Sequence, residues 1–201
     1  MGLLTVLLVG CSSPHVEVSV LGGGATSLVR KTPTTLDEFL NVTAELGPAV
    51  DDSAWPRCTT ANGSHALRAH PDAVRKALAP SQRGHRVLVT EMPIAIDRPG
   101  APCTRVFGAA PPGSGVVLVS ARELRQRCSS MPVDELVARV AAHELGHVME
   151  VTRESPGVNC DRRGCHCATP NCLMADGRGG CPQPDIVLCA RCIEHLDGHP
   201  R

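Results

Sequence analysis

His143-Glu144-Leu145-Gly146-His147 places two imidazoles four residues apart with a carboxylate beside the first. On an α-helix, positions i and i+4 lie one turn apart on the same face, so both rings reach a single tetrahedral zinc ion. The glutamate between them then flanks the metal's open position. There a carboxylate can take a proton from zinc-bound water and hand it to a leaving amine. The spacing predicts a catalytic zinc site with His143 and His147 as ligands and Glu144 as general base. The chain has no tyrosine, so oxyanion stabilisation falls to the metal, to backbone N–H groups, or to a histidine or arginine.

The element that must carry this motif is legible around it. From Val133 the apolar residues Leu136, Val137, Val140, Ala141, Leu145 and Val148 recur at helical spacing, predicting a helix from Pro132 to about Arg153 that Pro156-Gly157 stops. His143, Glu144 and His147 share an arc with Leu136 and Val140, which turns the glutamate inward. A buried carboxylate without a partner is costly, whereas one facing a metal-bound water is satisfied.

Upstream, Thr35 with Glu38 forms a capping-box pattern that predicts a helix through Leu46, and residues 47–66 read as a long polar loop. Pro71 predicts a second helix to about Leu78. Arg86 to Glu91 alternates as a strand extending weakly to Ile96. Residues 108–115 read as a turn-rich linker, and Val116 to Val119 as a buried strand. Ser120 with Glu123 predicts a short helix to about Arg127. Residues 154–201 show almost no helical periodicity, and a loop-rich segment of that length is expected to be functional or metal-braced.

Lys+Arg and Asp+Glu both number 20, so net charge points to neither nucleic acid nor an acidic surface as partner. Of the 11 cysteines, seven lie between Cys160 and Cys192 and require a local explanation, as metal thiolates or as disulfides. Two short-spaced cysteine pairs that converge can close a tetrahedral thiolate zinc site and fold a lobe with little core of its own. Cys58, Cys103, Cys128 and Cys181 are expected to be buried thiols, with a further metal or disulfide brace from Cys160, Cys165 and Cys181 as the alternative. At the N-terminus, Leu8-Val9-Gly10-Cys11 resembles a bacterial lipobox, while Leu3 to Val9 reads equally as a first buried strand. The compartment therefore stays open between the cytoplasm and a membrane anchored through a lipidated Cys11.

The metzincin pattern H-E-x-x-H-x-x-G-x-x-H puts Arg153 at its third histidine and Glu150 at its glycine, so it fails after His147. Further on stand His166-Cys167, then Cys172-Leu173-Met174, then Cys189-Ala190-Arg191-Cys192. This order resembles the archaemetzincin (archaelysin) family, whose motif continues as H-C-x4-C-x-M and a C-x-x-C pair. That second half is intact but displaced downstream by 13 residues, as though a segment holding Cys160 and Cys165 had been inserted. Val87 to Thr90, Val106-Phe107-Gly108 and Gly115 to Ser120 look like the same family's strands, so the resemblance covers about residues 86–196.

The resemblance implies that His143, His147 and His166 bind a catalytic zinc and that Met174 forms the Met-turn below it. It also implies that Cys167, Cys172, Cys189 and Cys192 hold a structural zinc, giving two Zn2+ per chain. Glu150, Cys160 and Cys165 remain rival third ligands. The expected fold is α+β and metzincin-like, with a twisted mixed sheet and helices in an upper lobe above a small, loop-rich, zinc-braced lower lobe. Residues 1–34 are set apart as an N-terminal segment, and 35–201 form one metallopeptidase domain divided at 153/154. The expected partner is a peptide or protein substrate.

Overall fold

The computed structural model describes residues 13–24, 26–78, 84–152, 158–161, 164–175 and 180–198. Cys11 and the Leu3 to Val9 segment lie outside these, as do Arg153 and the side chains of Cys160 and Cys165. The described part is an α+β fold with a mixed principal sheet, as expected. Its strands are β1 (His15–Leu21), β2 (Thr43–Leu46), β5 (His85–Thr90), β8 (Gly108–Ala109) and β9 (Val116–Ser120). Their order is β2-β1-β5-β9-β8, with every neighbouring pair parallel except the antiparallel β8 at one edge.

Strand alternation supplies both faces of this sheet. Val16, Val18, Val87, Val89, Val117 and Val119 pack on one side with α1 (Thr32–Leu40) and α4 (Val133–Val148). Leu88, Val116 and Leu118 pack on the other with Trp55, Leu67 and Val74. Because both faces are covered, β9 reads as an unbroken apolar run rather than an alternating one, and all five of its residues are buried.

A second sheet contains β3 (Arg57–Thr59), β4 (His65–Arg68), β6 (Ile94–Arg98) and β7 (Ala101–Val106), in that order. Cys58 of β3 and Cys103 of β7 are joined by a disulfide with a Cα–Cα distance of 5.9 Å, although their strands are the two outer ones. The sheet therefore curls until its edges meet, and only the small Ala66 and Ala95 fit beneath the bridge. Two short helices complete this part, α2 (Pro71–Ala77) and α3 (Ala121–Arg127). In α3 the Ser120 hydroxyl accepts the Glu123 N–H at 3.2 Å, the capping geometry its sequence predicts. The buried Glu123 carboxylate accepts a hydrogen bond from Arg105 Nε at 2.7 Å, which ties β7 to α3.

Several expected boundaries are corrected. The helix predicted through Leu46 stops at Leu40, because Asn41 takes a left-handed φ of 49° and β2 follows. The loop expected over 47–66 contains β3 and the start of β4. Within residues 1–34, His15–Leu21 form β1, which runs between β2 and β5. The expected thiols Cys58, Cys103, Cys128 and Cys181 are disulfide-bonded, as Cys58–Cys103 and Cys128–Cys181. Partners 45 and 53 residues apart are chosen by the tertiary fold, which no local spacing encodes.

Candidate metal centre

Helix α4 carries His143, Glu144 and His147 on the turns that follow its buried stripe of Leu136, Val137, Val140 and Ala141. It ends at Val148, not near Arg153. Glu150 adopts φ 56°, its N–H donates to His147 O at 3.2 Å, and the Val151 N–H donates to Gly146 O at 3.0 Å. That pair of bonds around a left-handed residue is a Schellman closure, normally built on glycine. The position that the metzincin pattern gives to glycine thus keeps a left-handed turn with glutamate in it.

The chain returns through a hairpin of β10 (Val158–Asp161) and β11 (Gly164–Cys167), with Asn159 opposite His166 and Cys160 opposite Cys165. The extra residues after His147 are largely this hairpin, and its second strand delivers His166 to α4. The ring centroids of His143 and His147 are 4.7 Å apart, those of His147 and His166 4.8 Å, and those of His143 and His166 5.6 Å. Glu150 is exposed and outside the cluster.

His143 Nδ1 donates to Leu173 O at 2.6 Å, which leaves the Nε2 lone pair facing His147 Nε2 at 3.1 Å. Two imidazole nitrogens at that separation match the edge of a tetrahedron with metal–nitrogen bonds of about 2.0–2.1 Å, roughly 3.3–3.4 Å. Burial, aided by the repulsion that protonated His143 and His166 would exert, pushes His147 down to about 3, so its imidazole is neutral at pH 7. Burial raises Glu144 above the usual carboxylate range, opposed by the charge of His143. Beneath the cluster the fully buried Met174 lies against Gly146, where any Cβ would come within 2.4 Å of its sulfur.

Cys167, Cys172, Cys189 and Cys192 form a second group, and within each group all ligand atoms lie within 4.8 Å of one another. The Cys167–Cys189 and Cys172–Cys192 sulfur separations are both 3.7 Å. A tetrahedral thiolate site with bonds of about 2.3 Å has an edge near 3.8 Å, so the donor set fits zinc. The Cys192 hydrogen bond, opposed by burial and aided by backbone N–H groups, pulls Cys172 down to about 5 while Cys192 is pushed up. Cys189 and Cys192 stand at the start of α5 (Ala190–Gly198), a helix the sequence reading does not anticipate.

The lower segment is fastened to the rest by further contacts that sequence reasoning misses. Arg139 of α4 donates to Ile186 O at 2.6 Å and Pro184 O at 2.5 Å, and the Cys128–Cys181 bridge links the turn after α3 to the strand-free stretch before α5. The Leu173 carbonyl that orients His143 is a backbone group and leaves no side-chain signal to read.

No protein-family model matches the chain, and no curated protein matches it significantly. Solved structures do share its fold. Archaemetzincin from Methanopyrus kandleri aligns with a TM-score of 0.63 at 20% identity over 95% of this chain and 97% of that one. Archaemetzincin from Archaeoglobus fulgidus, complexed with malonate, aligns with a TM-score of 0.60 at 20% identity, over 90% and 99%. A zinc-dependent peptidase from Methanocorpusculum labreanum gives 0.55 at 19% identity, again over 90% and 99%. The fold is therefore archaemetzincin-like, as the motif order implies.

Proposed function

We propose that this protein is a zinc metallopeptidase in which His143, His147 and His166 hold the catalytic metal and Glu144 is the general base. The observation that carries the reading is the three-histidine cluster, two of its members on the helix that also carries Glu144 next to His143, on a fold shared with archaemetzincins and a zinc-dependent peptidase. Zinc, when bound, supplies a Lewis acid that polarises a carbonyl and acidifies water. Glu144 accepts the proton released by the attacking water and delivers it to the departing amine nitrogen, and its raised pKa narrows the gap between those two transfers. Strand β8 ends the principal sheet, so an extended peptide can add beside it through backbone hydrogen bonds.

Cys167, Cys172, Cys189 and Cys192 take a second, structural zinc in this reading. The two disulfides favour an oxidising compartment over the cytoplasm, the alternative raised by the lipobox-like Cys11. Glu144→Gln is expected to abolish hydrolysis of a quenched fluorescent peptide library while zinc content is retained. Hydrolysis by that variant removes Glu144 from the mechanism. A zinc-loaded wild type that cleaves nothing leaves a zinc-binding module without the activity.

A further inference from the structure

Gly108 sits at the edge of the sheet in β8, paired with Val119, and its φ is not in the left-handed region that favours glycine. Its backbone therefore does not require glycine, whereas its surroundings do. A Cβ at this position would lie 2.6 Å from Val140 Cγ1, 2.7 Å from Glu144 Cγ and 2.9 Å from Glu144 Oε1. Val140 and Glu144 are one turn apart on α4 and face the strand together. The bare Cα of Gly108 thus roofs the glutamate side chain.

We propose that Gly108 is a positioning residue for Glu144, setting the place of its carboxylate beside the three-histidine cluster by leaving a methyl-sized space empty. The inference rests on the reading of Glu144 as the base. A methyl group at 108 forces something to move. The strand is held by its pairing with β9 and by the Ser120 N–H to Phe107 O bond of 2.8 Å. Val140 is β-branched and held to one favoured rotamer in a helix. The glutamate, with three rotatable bonds, is the group that yields. A displacement of about 1 Å at a reacting group costs on the order of 10²-fold in rate.

The test compares zinc-loaded wild type, Gly108→Ala, Val140→Ala and the double variant Gly108→Ala/Val140→Ala by zinc content, kcat, KM and crystal structure. In Gly108→Ala, zinc content and KM are expected to be unchanged and kcat to fall about 10²-fold. The Glu144 carboxylate should be displaced in its crystal structure. The fall should persist in the double variant, where the contact with Val140 is gone and the contact with Glu144 remains. Recovery of kcat in the double variant overturns the proposal, because crowding of Val140 would then be the whole effect. Loss of zinc from Gly108→Ala also overturns it, as does a carboxylate left in its wild-type place. Should wild type hydrolyse no peptide, the base reading fails by itself. The crystal structures then still decide whether residue 108 places Glu144.

Discussion

Removing the cysteine pair at the start of α5 is expected to empty both metal groups, although neither residue belongs to the histidine cluster. The segment from β11 to α5 alternates between the two groups along the chain. His166 is followed by Cys167, and Cys172 is followed by Leu173, whose carbonyl accepts the His143 Nδ1–H at 2.6 Å. Met174 comes next and fills the space against Gly146. Thiolate zinc sites bind with about 10–16 kcal/mol, as much as the about 5–15 kcal/mol that holds a whole domain folded. Among its described residues this segment buries few large apolar side chains besides Leu173, Met174, Leu188 and Leu196, so in this reading its shape depends on that metal. With Cys189→Ser/Cys192→Ser the segment should open, and the histidine cluster should lose His166 together with the carbonyl that orients His143. Loss of an orienting partner alone lowers metal affinity by about 10–100-fold, and loss of a ligand lowers it further. Zinc per chain after dialysis should fall from about two equivalents to near none, with hydrogen exchange accelerating in residues 164–198 before α4. Retention of one equivalent together with peptide hydrolysis would refute the coupling.

His166→Ala should leave the cysteine group intact and lower zinc from about two equivalents to about one; an unchanged content would point to a different third ligand. Replacing Cys58 and Cys103 together by alanine reopens a 45-residue loop and should cost about 4 kcal/mol, read as a lower urea midpoint with zinc content unaffected. An unchanged midpoint would show that the curled sheet closes without its bridge. Glu150→Gly relieves a left-handed residue at about 1–2 kcal/mol, less the added freedom of the unfolded chain, for a net gain of roughly 0.5–1 kcal/mol in thermal unfolding. A loss of stability there would mean that contacts of the Glu150 side chain outweigh its backbone strain.

What could be read from sequence was whatever local chemistry determines. The helix α3 begins where Ser120 and Glu123 say it should, and α2 begins at Pro71, because caps and first-turn prolines act over three or four residues. Strand β9 was visible as an apolar run since both of its faces are covered. The capping pattern at Thr35 and Glu38 misled because Lys31 is the cap residue and Pro33 opens the helix, placing both inside α1. The short β3 and β4 have no period to detect; pairing with β6 and the bridge to Cys103 define them. Helix α5 follows from two cysteines that must face their partners across the group, a demand set by residues more than 15 positions away.

The histidine cluster shows why spacing in sequence is a weaker rule than spacing in the fold. A three-histidine site asks that the third imidazole arrive from below the helix at a fixed distance from the other two. The family pattern meets that demand with a glycine that turns the chain and a histidine three residues beyond it. Here Glu150 makes the turn at φ 56°, and the chain spends its extra residues on an antiparallel hairpin whose two ends come back side by side. Such a hairpin changes contour length without changing the separation of its ends, since Val158 stands directly opposite Cys167. A hairpin of another length could therefore be inserted at this point at little geometric cost to His166. Insertions elsewhere in the loop, between His166 and Cys167 for instance, would rotate one ligand away from its group. In this reading the displaced motif half stays intact from His166 to Met174 because those residues serve both metal groups at once.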